Sequence, residues 1–145
     1  MMHASIARLE SSRVALRVAF GLLPLLAGLD KFAYLLTDWS AYVGPLARTL
    51  LPVAPETFLY GVGIVEILVG LAVLTYWTVI GSYVAAGWLT LIAVNLVFAG
   101  YFDVAVRDLV LAIAAFTLAR LTEVHRAIAR VAEQEASVAP IRKAA

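Results

Sequence analysis

The chain has 145 residues, 63% of them hydrophobic and 14% charged, with a net charge of +1 and a mean hydropathy of +0.95. Soluble domains are roughly 45–50% apolar and about 25% charged, and a fold this small has too little interior to hide the excess, so an integral membrane protein is expected and a water-soluble enzyme is all but excluded. The absence of cysteine removes disulfides, iron–sulfur ligation and thiol chemistry, and no basic patch with interleaved aromatics argues for nucleic acid as a partner.

A helix needs about 20 apolar residues to cross a hydrocarbon core of ~30 Å. Four stretches meet that length, at about 14–34, 57–77, 79–99 and 104–121. The first resembles a signal peptide in its basic start, but Ala27-Gly28-Leu29 makes a poor cleavage site, so an uncleaved first span is expected. Between the first two spans, Trp39, Tyr42, Pro45 and Arg48 suggest a segment lying in the membrane interface. Pro52 and Pro55 stop any continuous helix before the second span, and Pro55 suits a first helical position. Only Thr75–Thr78 can turn between spans two and three, which predicts a tight antiparallel hairpin. Asp103 reads as the N-cap of the fourth span.

Beyond that span, Leu118, Leu121, Val124, Ile128 and Val131 recur at helical spacing among charged residues, an amphipathic extension expected over 122–136. Its stripe either covers the bundle end, lies on the membrane, meets a partner or belongs to a solvated helix end. Residues 137–145 read as a flexible tail. The expected architecture is all-α: a transmembrane four-helix bundle in a single domain over 1–136, with the interfacial segment between helices 1 and 2 and the C-terminal helical extension. Arg8, Arg13, Arg17, Arg120, Arg126, Arg130, Arg142 and Lys143 oppose Lys31, Arg48 and Arg107, eight basic residues against three, which places both termini in the cytoplasm.

Charges inside a span are costly and face the bundle interior, so each is a functional candidate. Arg17, Gly21, Pro24, Gly28 and Lys31 form one stripe on the first helix. Gly63, Glu66 and Gly70 share a face of the second, with Glu66 near mid-span, at about 15 Å depth by helix rise. Gly81, Ala85, Trp88, Ile92 and Asn95 line the third, and Asp103, Arg107 and Asp108 open the fourth. The glycines at 21, 28, 63, 70 and 81 are expected to pack against other helices, since small residues permit close approach. Asp30, Lys31, Asn95, Arg107 and Asp108 would then meet towards the outer face with Glu66 beneath them, and Glu66, Arg107 and Lys31 are expected to form one network. The structural alternatives are that Arg17 and Lys31 snorkel to headgroups, that Arg107 and Asp108 form a local ion pair, and that Glu66 only fixes helix packing.

Arg17, the run Gly28-Leu29-Asp30-Lys31-Phe32, Gly63-x-x-Glu66-x-x-x-Gly70 and Arg107-Asp108-Leu109 together resemble the signatures of DoxX-type membrane proteins, over about 13–121. The resemblance implies a four-helix bundle in a bacterial or archaeal inner membrane, associated with oxidoreductase complexes that work with quinones. The cysteine pair used by related four-helix quinone reductases is missing, so that chemistry does not transfer.

Three functions follow as expectations. The first is a membrane subunit of an oxidoreductase or electron-transfer assembly contacting quinone through the polar cluster, Arg107 or Lys31 stabilising negative charge and Glu66 relaying a proton. The second is a purely structural accessory subunit of a larger photosynthetic or respiratory complex, and the third a small transporter. Partners are lipid and other membrane subunits. No intrinsic cofactor is expected, because His3, His125, Met1 and Met2 all lie in the polar ends, and quinone is the one ligand implied.

Overall fold

A computed structural model describes residues 2–50 and 53–144, with backbone alone at 2–8, 46, 50 and 138–144. The helix stop expected at Pro52 lies outside the described residues, as do the side chains of Arg8, Arg142 and Lys143. Five α-helices are described: α1 (Met2–Ala33), α2 (Pro45–Leu50), α3 (Pro55–Leu74), α4 (Thr78–Ala99) and α5 (Phe102–Ala144). A short 3₁₀ turn, Trp39–Tyr42, precedes α2, and no strand occurs among the described residues.

The helix ends have local chemical causes. Pro55 stands at the first turn of α3, where its missing N–H leaves no bond unmade. α3 stops at Leu74, three residues short of the expected end, because side chains take its last carbonyls. Arg17 donates from Nε to the carbonyl of Val73 (3.1 Å) and from Nη2 to those of Leu74 (2.6 Å) and Thr75 (2.7 Å). The Thr78 hydroxyl donates to Val73 (2.9 Å) and Thr75 (2.8 Å). Arg17 is therefore a C-cap delivered from α1, and its charge faces the negative end of the α3 dipole. α4 ends at Gly100, whose φ of +86° opens the left-handed turn that returns the Tyr101 N–H to the Leu96 carbonyl at 2.9 Å. Asp103 is not the N-cap expected. It sits inside the first turn of α5, where a carboxylate meets the positive end of the helix dipole.

α1 packs along α3 and α4 along α5, with thinner α3–α4 and α1–α5 contacts. Small residues bring the helices together. A Cβ on Gly28 would lie 2.6 Å from the Gly63 carbonyl oxygen, and one on Gly63 would lie 2.8 Å from that of Gly28. Gly70 repeats this against Gly21 at 2.6 Å, Gly21 itself receives the Leu74 side chain, and Gly81 abuts the backbone of Val73 at 2.8 Å. Between α4 and α5 the buried positions are largely alanines: Ala85, Ala93, Ala105, Ala112, Ala115 and Ala119. Phe20, Val69, Val73 and Leu118 complete the main core.

The outer faces are apolar. Leu22, Leu26 and Leu29 of α1, Ile64 and Leu68 of α3, and Ile80 and Leu91 of α4 all point outward and stand exposed. Continuous apolar surface of this kind is uncommon on soluble monomers and is what a helix presents to lipid. Three helical segments are long and apolar enough to cross a membrane: Leu9–Ala33 within α1, α3 and α4. The fourth expected span, 104–121, is helical but does not reach that standard. Arg107 and Asp108 near its start and Arg120 near its end leave an uncharged run of only 11 residues, 109–119. α5 also runs unbroken to Ala144, through the boundary expected at 122 and the tail expected from 137. That stretch is rich in Ala, Glu and Arg, with no glycine and no proline before Pro140.

The connection between α1 and α3 folds back onto α4. The Asn95 amide donates to the Tyr42 carbonyl (2.8 Å) and accepts from the Gly44 N–H (3.1 Å), which pins the segment in place. Tyr42 stacks at a tilt on Tyr101, with ring centroids 5.0 Å apart.

Candidate functional site

The motif Gly-x-x-charge occurs on both members of the α1–α3 pair, as Gly28-x-x-Lys31 and Gly63-x-x-Glu66. In an antiparallel pair whose glycines touch, each charged residue is carried one turn beyond its own glycine, alongside the glycine of its partner. A Cβ on Gly28 would lie 3.0 Å from the Glu66 Cβ, and one on Gly63 would lie 3.2 Å from that of Lys31. The register of this close approach, with each charge level with the partner's glycine, brings Lys31 and Glu66 together. Nζ of Lys31 donates to Oε2 of Glu66 at 2.5 Å, with the residues only 3% and 5% exposed.

Trp39 closes the pair from the connection side, with the Lys31 ammonium 3.8 Å from its ring centroid. Asp30 holds that indole in place. Its Oδ2 accepts from Trp39 Nε1 (2.7 Å) and its Oδ1 from the backbone N–H groups of Leu35 (2.9 Å) and Leu36 (3.1 Å). These bonds also stabilise the reversal after α1, where Tyr34 takes a φ of +53° that a tyrosine rarely adopts. Asp30 therefore acts on Lys31 through Trp39. On the α4 side the buried Trp88 indole N–H lies beside the Glu66 carboxylate, short of full hydrogen-bond geometry.

The other expected members are placed differently. Asp108 is buried within electrostatic range of Glu66, but its partner is the adjacent Arg107, Nε to Oδ1 at 3.3 Å. The Arg107 side chain is 66% exposed and takes no part in the Lys31–Glu66 contact, which corrects its expected place in one network with them. The reason is angular. Neighbouring residues on a helix point about 100° apart, so with Asp108 facing inward Arg107 faces out. Asn95 is likewise absent from the cluster, because its amide is used on the connection. Lys31 does not snorkel, and Arg17 lies 14 residues before it, midway along α1, as a cap on α3.

Trp39 and Trp88 are the site residues that sequence reasoning did not assign. Trp39 reads as an interfacial aromatic and Trp88 as one member of a packing stripe, and neither carries a signal of its spacing to Lys31 or Glu66. The arrangement is chemically a closed, charge-balanced pair of acid and base in a low-dielectric interior, roofed by one indole and flanked by another. Its Coulomb attraction offsets a large desolvation cost only while both partners are present. A pocket of about 210 Å³ lined by Val43, Ala47, Arg48, Val53, Pro55 and Phe58 lies beside the α1–α3 connection, apart from the pair. Among the described residues no three His, Cys, Asp or Glu side chains converge as a metal site requires. No family model, curated protein or solved structure matches the chain.

Proposed function

We propose that the chain is a DoxX-like multi-pass subunit of an oxidoreductase or electron-transfer assembly in a bacterial or archaeal inner membrane. All four long helices cross the bilayer, with both termini in the cytoplasm. The observation that carries this reading is the buried Lys31–Glu66 pair, held by the glycine contacts of two membrane-length helices. Ionisable groups at such depth are rare and mark functional sites by default. Support for a fourth crossing by α5 is its packing along α4 and the inward placement of Asp108, Ala112, Ala115 and Leu118, while Arg107 has the length to reach headgroups. The Trp88 N–H, beside Glu66 but short of a full hydrogen bond to it, is a donor suited to a carbonyl group, which favours quinone contact.

A second reading, a structural accessory subunit, is favoured by a different feature: Lys31 and Glu66 already satisfy each other and are shielded from outside. Mild-detergent purification from native membranes separates the two. Redox subunits recovered together with stoichiometric quinone support the first reading, provided that Glu66→Gln, still folded, loses the quinone. Redox or photosynthetic subunits without quinone support the second, and recovery of the chain alone rejects both. Reporters fused after Ala145 and inserted near Trp39 are expected to register as cytoplasmic and external. The opposite pattern refutes the orientation.

A further inference from the structure

The Lys31–Glu66 pair is closed by a side chain that belongs to neither helix. Trp39 stands half-buried on the connection between α1 and α3, with the two charged residues behind it 3% and 5% exposed. Its indole meets buried charge in two places. The ring face lies over the Lys31 ammonium, which is 3.8 Å from its centroid, and the ring edge donates from Nε1 to Oδ2 of Asp30 at 2.7 Å. Asp30 is itself only 6% exposed, so one planar ring spans a buried cation and a buried anion.

Both groups need a partner in this place. With the ring gone, the ammonium would keep Glu66 and a 3.5 Å contact to the Ala27 carbonyl, fewer than its three protons can use. Oδ2 of Asp30 would keep only the Leu36 N–H at 3.1 Å. The indole can nevertheless leave by rotation of its side chain alone. The backbone after it stays fastened, Asp38 accepting from the Ser40 N–H (3.0 Å) and Asn95 holding Tyr42 and Gly44. The stretch before it is largely exposed, Leu35 at 85% and Leu36 at 71%, and Trp39 itself has a side open to the surface.

We infer that Trp39 occupies the place of a ligand ring, and that the ligand is a hydroxyaromatic ring, the quinol rather than the quinone form. The inference rests on the reading that the chain contacts quinone, and names the redox form retained at that site. A quinol reproduces both contacts of the indole. Its ring is electron-rich, so its negative face attracts the ammonium. Its hydroxyl donates to Oδ2 of Asp30 as the indole N–H does. A quinone fails at both. Its carbonyl groups drain the ring of electron density, and its oxygens have no proton to give and are repelled by the carboxylate.

The probes are duroquinol, its dimethyl ether and duroquinone, which share one methylated ring and differ in its oxygens. Each is titrated anaerobically into the purified chain in detergent and followed by calorimetry, with the heat of empty micelles subtracted. Duroquinol is expected to bind at least about tenfold more tightly than duroquinone or the ether, which keeps the electron-rich ring but has no hydroxyl. Trp39→Ala is expected to bind duroquinol several-fold more tightly than wild type, because no indole competes for the place. A ring that only covers the pair gives unchanged or weaker binding in Trp39→Ala, and that result overturns the proposal. Folded Asp30→Asn is expected to shrink the preference for duroquinol several-fold, and a preference kept in full overturns it as well. Equal affinity of wild type for duroquinol and duroquinone rejects this inference and leaves the quinone contact standing. Absence of binding of either one, in wild type and in Trp39→Ala, rejects both.

Discussion

Removing the Glu66 carboxylate tests the central geometry most sharply. Glu66→Leu leaves the Lys31 ammonium buried, with only the Trp39 ring and a long contact to the Ala27 carbonyl at 3.5 Å. Breaking a buried pair by deleting one partner costs about 3–5 kcal/mol, because the surviving charge is uncompensated. The cation–π contact returns only ~1–2 kcal/mol and is present in both states, so it does not offset the loss. For a chain of this size each kcal/mol moves the midpoint by about 4 °C, so Glu66→Leu is expected to lower it by roughly 12–20 °C. Glu66→Gln keeps an acceptor for the Lys31 ammonium and should lose less. In Lys31→Met with Glu66→Leu both charges are gone and two apolar side chains fill the same space, so the double variant should recover most of the stability. Thermal unfolding in detergent followed by tryptophan fluorescence reads this directly, since Trp39 and Trp88 flank the pair. Additive losses in the double variant, or a Glu66→Leu midpoint unchanged within about 2 °C, would refute the pairing and its burial together.

The remaining predictions use other contacts. Gly63→Leu and Gly70→Leu should destabilise strongly, because even a Cβ would meet a backbone oxygen at 2.8 and 2.6 Å. Gly61→Ala and Gly87→Ala, with nothing within 4 Å, should be neutral or stabilise by about 0.5–1 kcal/mol in the same melting assay; similar effects at all four would deny the close helix contact. Asn95→Ala should cost about 1–3 kcal/mol and speed hydrogen exchange in residues 39–48, and unchanged exchange there would show that the connection is held by something else.

Much of the α1–α3 contact was legible in advance, because Gly21, Gly28, Gly63 and Gly70 fall at helical spacings that only a close antiparallel neighbour explains. The deep position of Glu66 likewise demanded a partner before any partner was visible. The choice of Lys31 over Arg107 follows from the same helical arithmetic, once the inward face of α5 is known to carry Asp108. That face was not readable from α5 alone. Its alanines at 105, 112, 115 and 119 and its β-branched residues at 106, 110, 113, 124, 128 and 131 are both apolar, and hydropathy does not tell a packed stripe from an exposed one.

Composition and periodicity by themselves determined that the chain is helical, that three of the four expected spans are long and apolar enough for a bilayer, and that one hairpin turn falls near residue 76. These are properties of short windows of chain, where backbone hydrogen bonding and lipid transfer act locally. Only the tertiary structure decided that Arg17 caps α3 and that Asn95 fastens the connection. It also decided that Asp30 reaches Lys31 through Trp39, and that α5 turns Asp108 inward and Arg107 outward. Each of these depends on the rotation of a helix about its own axis and its register against a neighbour. Those two variables are set by glycine and alanine contacts between residues far apart in the chain, and no local pattern contains them.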